Sequence, residues 1–283
     1  MRINKLHGSR KDRRRNLTDM ASGAREKGYL NNMVLTERKL RILQAIISDF
    51  IATAEPVGSR TLSRKFDMGI SAATIRNEMA DLEEMGYLTH PHTSAGRVPS
   101  DSAYRLYVNE LMDKYELVEE EKKRIRAELR RNVEDLRNTI RHASEVLSEL
   151  TNLTSFATME DMSRVQLFLE GMTRIFAHPE FNSVERAKEF IEMVDRRDSL
   201  SATIARRNDG ISITIGDENS RDIMPDSSII TATYHINGQF VGKLGVIGPT
   251  RMRYNEITSV IDYMTRNLNR AYRLTEGDDF EDE

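Results

Sequence analysis

Ser71 to Gly86 reads SAATIRNEMADLEEMG, and both ends of a helix are marked in it. Ser71 is placed to accept a hydrogen bond from the free backbone N–H groups of a first turn, and Gly86 can take the left-handed conformation that stops one. Ile75, Met79 and Leu82 recur at i, i+4 and i+7, which buries one stripe. Ala73, Thr74 and Asn77 point roughly the other way, with Arg76 on the flank. That outer face is small, polar and uncharged where an ordinary surface helix carries Glu and Lys. Short hydrogen-bonding side chains suit a helix that enters the DNA major groove end-on, so the stretch is read as a recognition helix.

Its neighbours fit that reading. A helix is expected from Thr36, with Leu40, Ile42, Leu43, Ile46, Ile47, Phe50 and Ile51 on a broad apolar face, ending before Pro56. A second spans Ser59 to Phe66, and a turn at Asp67 to Gly69 leads into the third, the order of a helix-turn-helix. Tyr87 to His90 and Arg97 to Pro99 then pair as two short strands, a wing. Winged helices also serve as protein-protein modules, and Glu37 to Met112 holds nine Lys or Arg against ten acids, which is not a basic domain. Placement favours DNA. Arg60, Arg64, Lys65, Arg76 and Arg97 lie where phosphates would run, and Asp81, Glu83 and Glu84 sit at the far end of the third helix. By side-chain chemistry Ala73 suits a thymine methyl, Asn77 an adenine, Arg76 a guanine or a phosphate, and Ser71 and Thr74 nearby bases or backbone. Arg60, Arg64, Lys65 and Arg97 are assigned to phosphates.

Outward from this unit, Asp101 to Met112 is another helix. Glu116 to Thr151 reads as one long spacer helix, irregular in its apolar spacing, so a dimer-forming helix and a plain connector both remain open. Arg164 to Phe176 and Val184 to Val194 look helical. Ile211, Ile213 and Ile215 alternate as a strand, Asn237-Gly238 marks a hairpin between Ile229 to Ile236 and Gln239 to Ile247, and Tyr254 to Leu274 is a last amphipathic helix. The fold class expected is α+β. Its domains are a basic disordered arm over 1–33, a winged helix-turn-helix domain over 34–112, a helical linker over 113–151 and an α+β domain with an acidic tail over 152–283.

The 283 residues are 39% hydrophobic and 31% charged, with a net charge of −3 that conceals an uneven distribution. Residues 1 to 35 hold nine Lys or Arg, including RKDRRR at 10 to 15, whereas Glu276 to Glu283 holds six acids and no base. The basic arm reads as a nonspecific nucleic-acid arm, a solvated tail, or sequence upstream of a start at Met33. The absence of Cys excludes a disulfide framework, a thiolate metal site and a cysteine nucleophile, and fits a reducing cytoplasm. No signal peptide and no run of 18 apolar residues is present, so a soluble intracellular protein is expected. His90 and His92 flank Pro91, but without Cys or a carboxylate cluster a polar turn is favoured over a metal pair. Gly242-Lys243 with Gly245 and Gly248 has the wrong spacing for a P-loop, and strand crowding explains the glycines better. No nucleophile, base and orienting group come together, so no enzyme, cofactor or metal is expected.

VLTERKLRILQAIISDFIATAEPVGSRTLSR from Val34 and SAATIRNEMADLEEMGYLTHPHTSAGRVPSDSAYRLYVNEL from Ser71 resemble the HrcA family of heat-inducible transcription repressors, as does VGKLGVIGPTRMRYNEITSVIDYM from Val241. The resemblance implies a homodimeric winged-helix repressor on an inverted-repeat operator, the CIRCE element, upstream of chaperone genes. It also implies a GAF-like C-terminal domain and activity maintained by the GroE chaperonin. Two-fold symmetry then places one recognition helix on each half-site. The chain departs from the family pattern in its basic arm. It also has only about nine residues between SELTNLTSFA at 148 to 157 and LFLEGMTRIF at 167 to 176, where family members carry sheet strands and an inserted dimerisation element. The GAF-like domain is therefore expected to be shortened. Two other readings are a small-molecule-responsive regulator and a winged-helix interaction module without operator binding.

Overall fold

The computed structural model describes residues 35–92, 95–130, 135–161, 164–220, 223–224 and 226–273. The basic arm, the tip of the expected wing loop at 93–94 and the acidic tail lie outside them. The fold is α+β.

Three helices come first: α1 (Glu37–Thr53), α2 (Ser59–Lys65) and α3 (Ala72–Glu84). Thr36 caps α1 by accepting from the Lys39 N–H, and Ser71 caps α3 by accepting from the Thr74 N–H at 3.1 Å. Gly86 follows α3 with φ 81°. Ile42, Leu43, Ile46 and Ile47 of α1, Leu62 of α2 and Ile75, Met79 and Leu82 of α3 close into one buried core. The antiparallel pair β1 (Leu88–Thr89) and β2 (Val98–Pro99) comes next, and Arg97 exchanges backbone hydrogen bonds of 2.9 Å with Val57. The chain then runs through α4 (Asp101–Leu106), which widens into a π-turn over Tyr107–Leu111.

The second part is a five-stranded antiparallel sheet in the order β4-β3-β7-β6-β5. Its strands are β3 (Thr154–Asp161), β4 (Arg164–Glu170), β5 (Ile211–Ile215), β6 (Ser227–Ile236) and β7 (Gln239–Pro249). Asn237 and Gly238, with φ 53° and 78°, turn β6 into β7 as the Asn-Gly pair predicts. A Cβ on Gly245 would meet the Ile230 carbonyl oxygen at 2.2 Å and the Phe156 ring at 2.6 Å, which is the strand crowding expected of it. One face of the sheet, with Ala157, Ile230, Ala232, Leu244 and Val246, joins a core with α6 (Leu136–Thr151) and α9 (Tyr254–Arg273). The opposite face, with Phe156, Ile229 and Ile247, packs against Phe190 and Met193 of α7 (Val184–Asp195) and Leu200 and Ile204 of α8 (Arg197–Ala205).

Two expectations are corrected. Arg164 to Phe176 is not a helix: Arg164–Glu170 is the edge strand β4, paired with β3 from Ser155↔Glu170 to Asp161↔Arg164, and a 3-10 turn follows over Met172–Ala177. Most of the nine-residue joint is therefore strand, with 158–161 in β3 and 164–166 in β4. Glu116 to Thr151 is not one helix either. It forms α5 (Glu119–Leu129) and α6, the latter restarted by Asp135, whose carboxylate accepts from the Asn138 N–H at 2.7 Å. Ile125, Leu129, Ile140, Val146 and Leu147 are all buried within this chain, facing α9 and the sheet, so the irregular apolar spacing serves a mixed surface.

Candidate nucleic-acid interface

The surface built around α3 starts from its cap. The Ser71 hydroxyl accepts from the Thr74 backbone and lies 3.0 Å from the Thr74 hydroxyl, so both side chains are held at the helix entrance. Ala73, Arg76 and Asn77 are exposed on the next turn and Thr74 is half-buried, while Ile75 and Met79 behind them are at most 1% exposed. The five residues assigned to base reading therefore share one end of one helix. A face of short polar side chains with one arginine, above an apolar anchor, suits a groove-entering helix.

The cations around it fall into two groups. Arg60, Arg64 and Arg76 are exposed and form no ion pair among the described residues. Lys65 is instead drawn back to Asp49 of α1 at 2.6 Å, and Arg97 donates through Nε to Glu83 of α3 at 2.9 Å with its side chain only 15% exposed. The structure thus leaves two of the four proposed phosphate ligands free and commits the other two to intramolecular ties. Sequence position gave no warning of this, because Asp49 and Lys65 are sixteen residues apart.

A second network, which sequence reasoning missed, steadies the back of α3. Lys39 of α1 reaches Glu78 at 2.7 Å and Asp81 at 2.8 Å, and Arg38 adds a longer contact of 3.4 Å to Glu78. Hydrogen bonds to Asp81 and then Glu78 raise the Lys39 pKa above its ordinary value. These ties neutralise acids on the rear of α3, away from the uncharged entrance.

Helices α1 to α3 are tied to the sheet side through α4 and Arg251. Arg105 forms a two-pronged contact with Glu218, 2.6 Å on one prong, and also donates to the Ile213 carbonyl at 2.7 Å. Asp101 accepts from the Asp217 N–H at 3.0 Å, and only glycine fits at Gly216, where a Cβ would fall 1.7 Å from the Asp101 carboxylate. Tyr104 packs against Tyr254 at 6.2 Å between centroids, and Arg251 spans from Glu180 to the Ile51 carbonyl at the end of α1. The Arg105 and Glu218 side chains are 30% and 36% exposed, so this pair adds little to stability.

Among the described residues no cluster of three His, Cys, Asp or Glu could hold a metal, and no helix is long and apolar enough to cross a membrane.

Comparison with known proteins places this architecture. The family model described as HrcA protein C terminal domain matches residues 104–258. The heat-inducible transcription repressor HrcA of Clostridioides difficile (strain 630) is 35% identical over 338 positions, covering 84% of this chain and 100% of the relative. The protein of the same name from Acetivibrio thermocellus is 33% identical, covering 87% of this chain and 99% of its own length. Since 84% of 283 residues is about 238, about a hundred positions of the Clostridioides relative have no counterpart here. A solved structure titled as a hypothetical protein at 2.2 A resolution superposes with a TM-score of 0.68 at 16% identity, covering 86% of this chain and all of that one, which speaks to the fold alone. On the family model and these relatives, the chain belongs to the HrcA family of heat-inducible transcription repressors.

Proposed function

We propose that this chain represses transcription of heat-shock genes in the cytoplasm by binding, as a homodimer, an inverted-repeat operator of the CIRCE type. In this reading α3 enters the major groove of each half-site. The observation that carries it is the exposed N-terminal half of α3, capped by Ser71 and anchored by Ile75 and Met79, where short polar side chains flank Arg76, unpaired among the described residues. Ser71, Ala73, Thr74, Arg76 and Asn77 read bases, and Arg60 and Arg64 hold phosphates. Lys65 and Arg97, already in ion pairs, set the positions of α2 and of the hairpin and add less to the phosphate contacts.

The chain is read as a basic arm over 1–33, a winged helix-turn-helix domain over 34–112, a helical linker over 113–151 and a GAF-like regulatory and dimerisation domain over 152–283. Support for the wing is the β1–β2 hairpin directly after α3. Support for the GAF-like reading is the antiparallel sheet lying between two helical layers. Competence for the operator is maintained by the GroE chaperonin, and its loss under heat releases the genes.

The test is transcription in vitro from a promoter carrying the inverted repeat, with chaperonin present and the chain added in steps. Repression that disappears when the repeat is scrambled supports the reading. Unchanged transcript from both templates at saturating protein contradicts it.

A further inference from the structure

Helices α1 to α3 are joined to the sheet by a covalent link that does not by itself fix their direction. After the π-turn ends at Leu111, residues 112–118 have no regular secondary structure before α5 begins at Glu119. Ser259 of α9 donates to the Tyr115 carbonyl at 2.7 Å, which anchors the link at a point and leaves that point a pivot. Relative motion of two such parts is the default unless noncovalent contacts stop it.

The contacts that stop it converge on one 3-10 turn. Gly216–Glu218 follows directly on β5, whose pairing with β6 from Ile211↔Ala232 to Ile215↔Ser228 makes the turn part of the sheet's frame. Asp101 and Arg105 stand four residues apart on one face of α4 and grip this turn and the strand behind it. Asp101 accepts from the Asp217 N–H at 3.0 Å, while Arg105 donates to Glu218, 2.6 Å on one prong, and to the Ile213 carbonyl at 2.7 Å. Glu218 is itself steadied, because its carboxylate also accepts from the Ile215 N–H at 2.9 Å. The seat is close as well as bonded: a Cβ on Gly216 would fall 1.7 Å from the Asp101 carboxylate, which leaves no room for a methyl group between them. Two separated grips from one helix face remove the rotation that either alone would permit. The other ties across the junction are looser. Arg251 reaches the Ile51 carbonyl at 3.3 Å, and the Tyr104 and Tyr254 rings, 6.2 Å apart and tilted by 49°, can slide over one another.

We propose that Asp101 and Arg105 are positioning residues: by clamping α4 on the Gly216–Glu218 turn they hold each reading helix at one angle to its own sheet, and so set the half-site separation that two copies accept. The Arg105–Glu218 pair is part exposed and does little for stability, so its effect is on direction rather than on folding. A reading unit that swivels meets half-sites over a range of separations, whereas a clamped one meets a single separation and gains effective concentration there. The clamp stands on the contacts alone; its consequence for half-site separation rests on the function proposed above.

The test has two arms. In the first, Glu84→Cys on α3 and Glu185→Cys on α7, both at exposed positions, carry spin labels in the full chain, which has no cysteine of its own. Labelled chain is diluted with unlabelled chain, and double electron–electron resonance reads the spread of distances within one protomer. The parent is expected to give one narrow distribution, Asp101→Ala and Arg105→Ala broadened ones, and Arg105→Lys, which keeps a single contact to Glu218, a width between them. Glu218→Gln tests the same contact from the sheet side, and circular dichroism melting confirms that the variants fold. A parent as broad as the variants, or variants as narrow as the parent, overturns the clamp. In the second arm, with chaperonin present, anisotropy is read on inverted-repeat duplexes whose half-sites are moved together or apart by one and two base pairs, and on a single half-site. Each base pair turns a half-site by about 34° around the DNA axis. The parent is expected to prefer one separation, and in Arg105→Ala that preference falls by about fivefold while affinity for the single half-site stays at the parent's value. An unchanged separation profile in variants whose labels show them unclamped overturns the consequence for spacing, as do equal losses on the single half-site and the operator. Failure of the parent to prefer operator over scrambled DNA counts against the proposed function and leaves the clamp, read without DNA, standing.

Discussion

Replacing Arg64 and Lys65 separately by alanine is expected to give opposite signatures, although the residues are adjacent in sequence and both basic. Arg64 is exposed and unpaired among the described residues, whereas Lys65 is held by Asp49 at 2.6 Å. Each phosphate contact contributes a slope of about −0.9 to log affinity against log salt, and a dimer loses two contacts per substitution. Arg64→Ala therefore flattens the slope by about 1.8, so that raising salt from about 50 to 200 mM costs about twelvefold less affinity than in the parent. Lys65→Ala leaves most of the slope in place and acts on the fold instead. It strips Asp49, 8% exposed, of its partner. Because the Lys65 side chain is 48% exposed, the pair is discounted for solvent to at most about 1 kcal/mol. That corresponds to a melting midpoint lower by about 2–4 °C. The assay is fluorescence anisotropy on operator duplex across a salt series, with calorimetric melting alongside. A Lys65→Ala slope as flat as that of Arg64→Ala, or an Arg64→Ala slope equal to the parent, would refute the sorting of these cations into free and committed.

Three further outcomes are expected. Asn77→Ala should weaken operator binding by about 1–3 kcal/mol while leaving scrambled DNA unaffected; equal losses on both, read by anisotropy, would remove its base-reading role. Tyr104 is buried at the junction and its hydroxyl has no hydrogen-bond partner among the described residues, so Tyr104→Phe should stabilise by about 1 kcal/mol, seen as a higher melting midpoint; a fall in midpoint would mean that the hydroxyl has a partner. Lys39, whose pKa is raised by Asp81 and Glu78, contributes stability that is fully present below its unfolded value near 10.5 and is lost as pH rises through the higher folded value. Lys39→Met should therefore flatten the alkaline limb of a melting-against-pH curve, and an unchanged limb would place that loss elsewhere.

The parts of the fold that could be read from sequence are those in which local chemistry and tertiary packing agree. Ser71 caps α3 because a serine before an apolar-periodic run has few better uses, and Asn237-Gly238 turns a hairpin because both residues accept positive φ. Strand β4 was not legible. RVQLFLEGMTRIF is a short apolar run whose period fits either element, and what makes Arg164–Glu170 a strand is its pairing with β3 along its length. The division at Asp135 was hidden for a related reason: α5 buries apolar residues against α9 and α6, and α6 against α9 and the sheet, so one helical period runs through both. At the candidate interface, that Ser71, Ala73, Thr74, Arg76 and Asn77 share one end of a helix was legible because they lie within about two helical turns. The fates of Lys65 and Arg97 were not, since their partners Asp49 and Glu83 come from other elements.

Whether α3 reads an operator sequence is measured most directly by a fluorescence-anisotropy titration of the purified chain, with chaperonin present. The two probes are an inverted-repeat duplex and a scrambled duplex of equal length, each at two salt concentrations. Base reading by α3 predicts an operator preference of about a thousandfold or more that persists at the higher salt. Equal binding to both duplexes, weakening together as salt rises, would mean phosphate attraction without base reading and would contradict it.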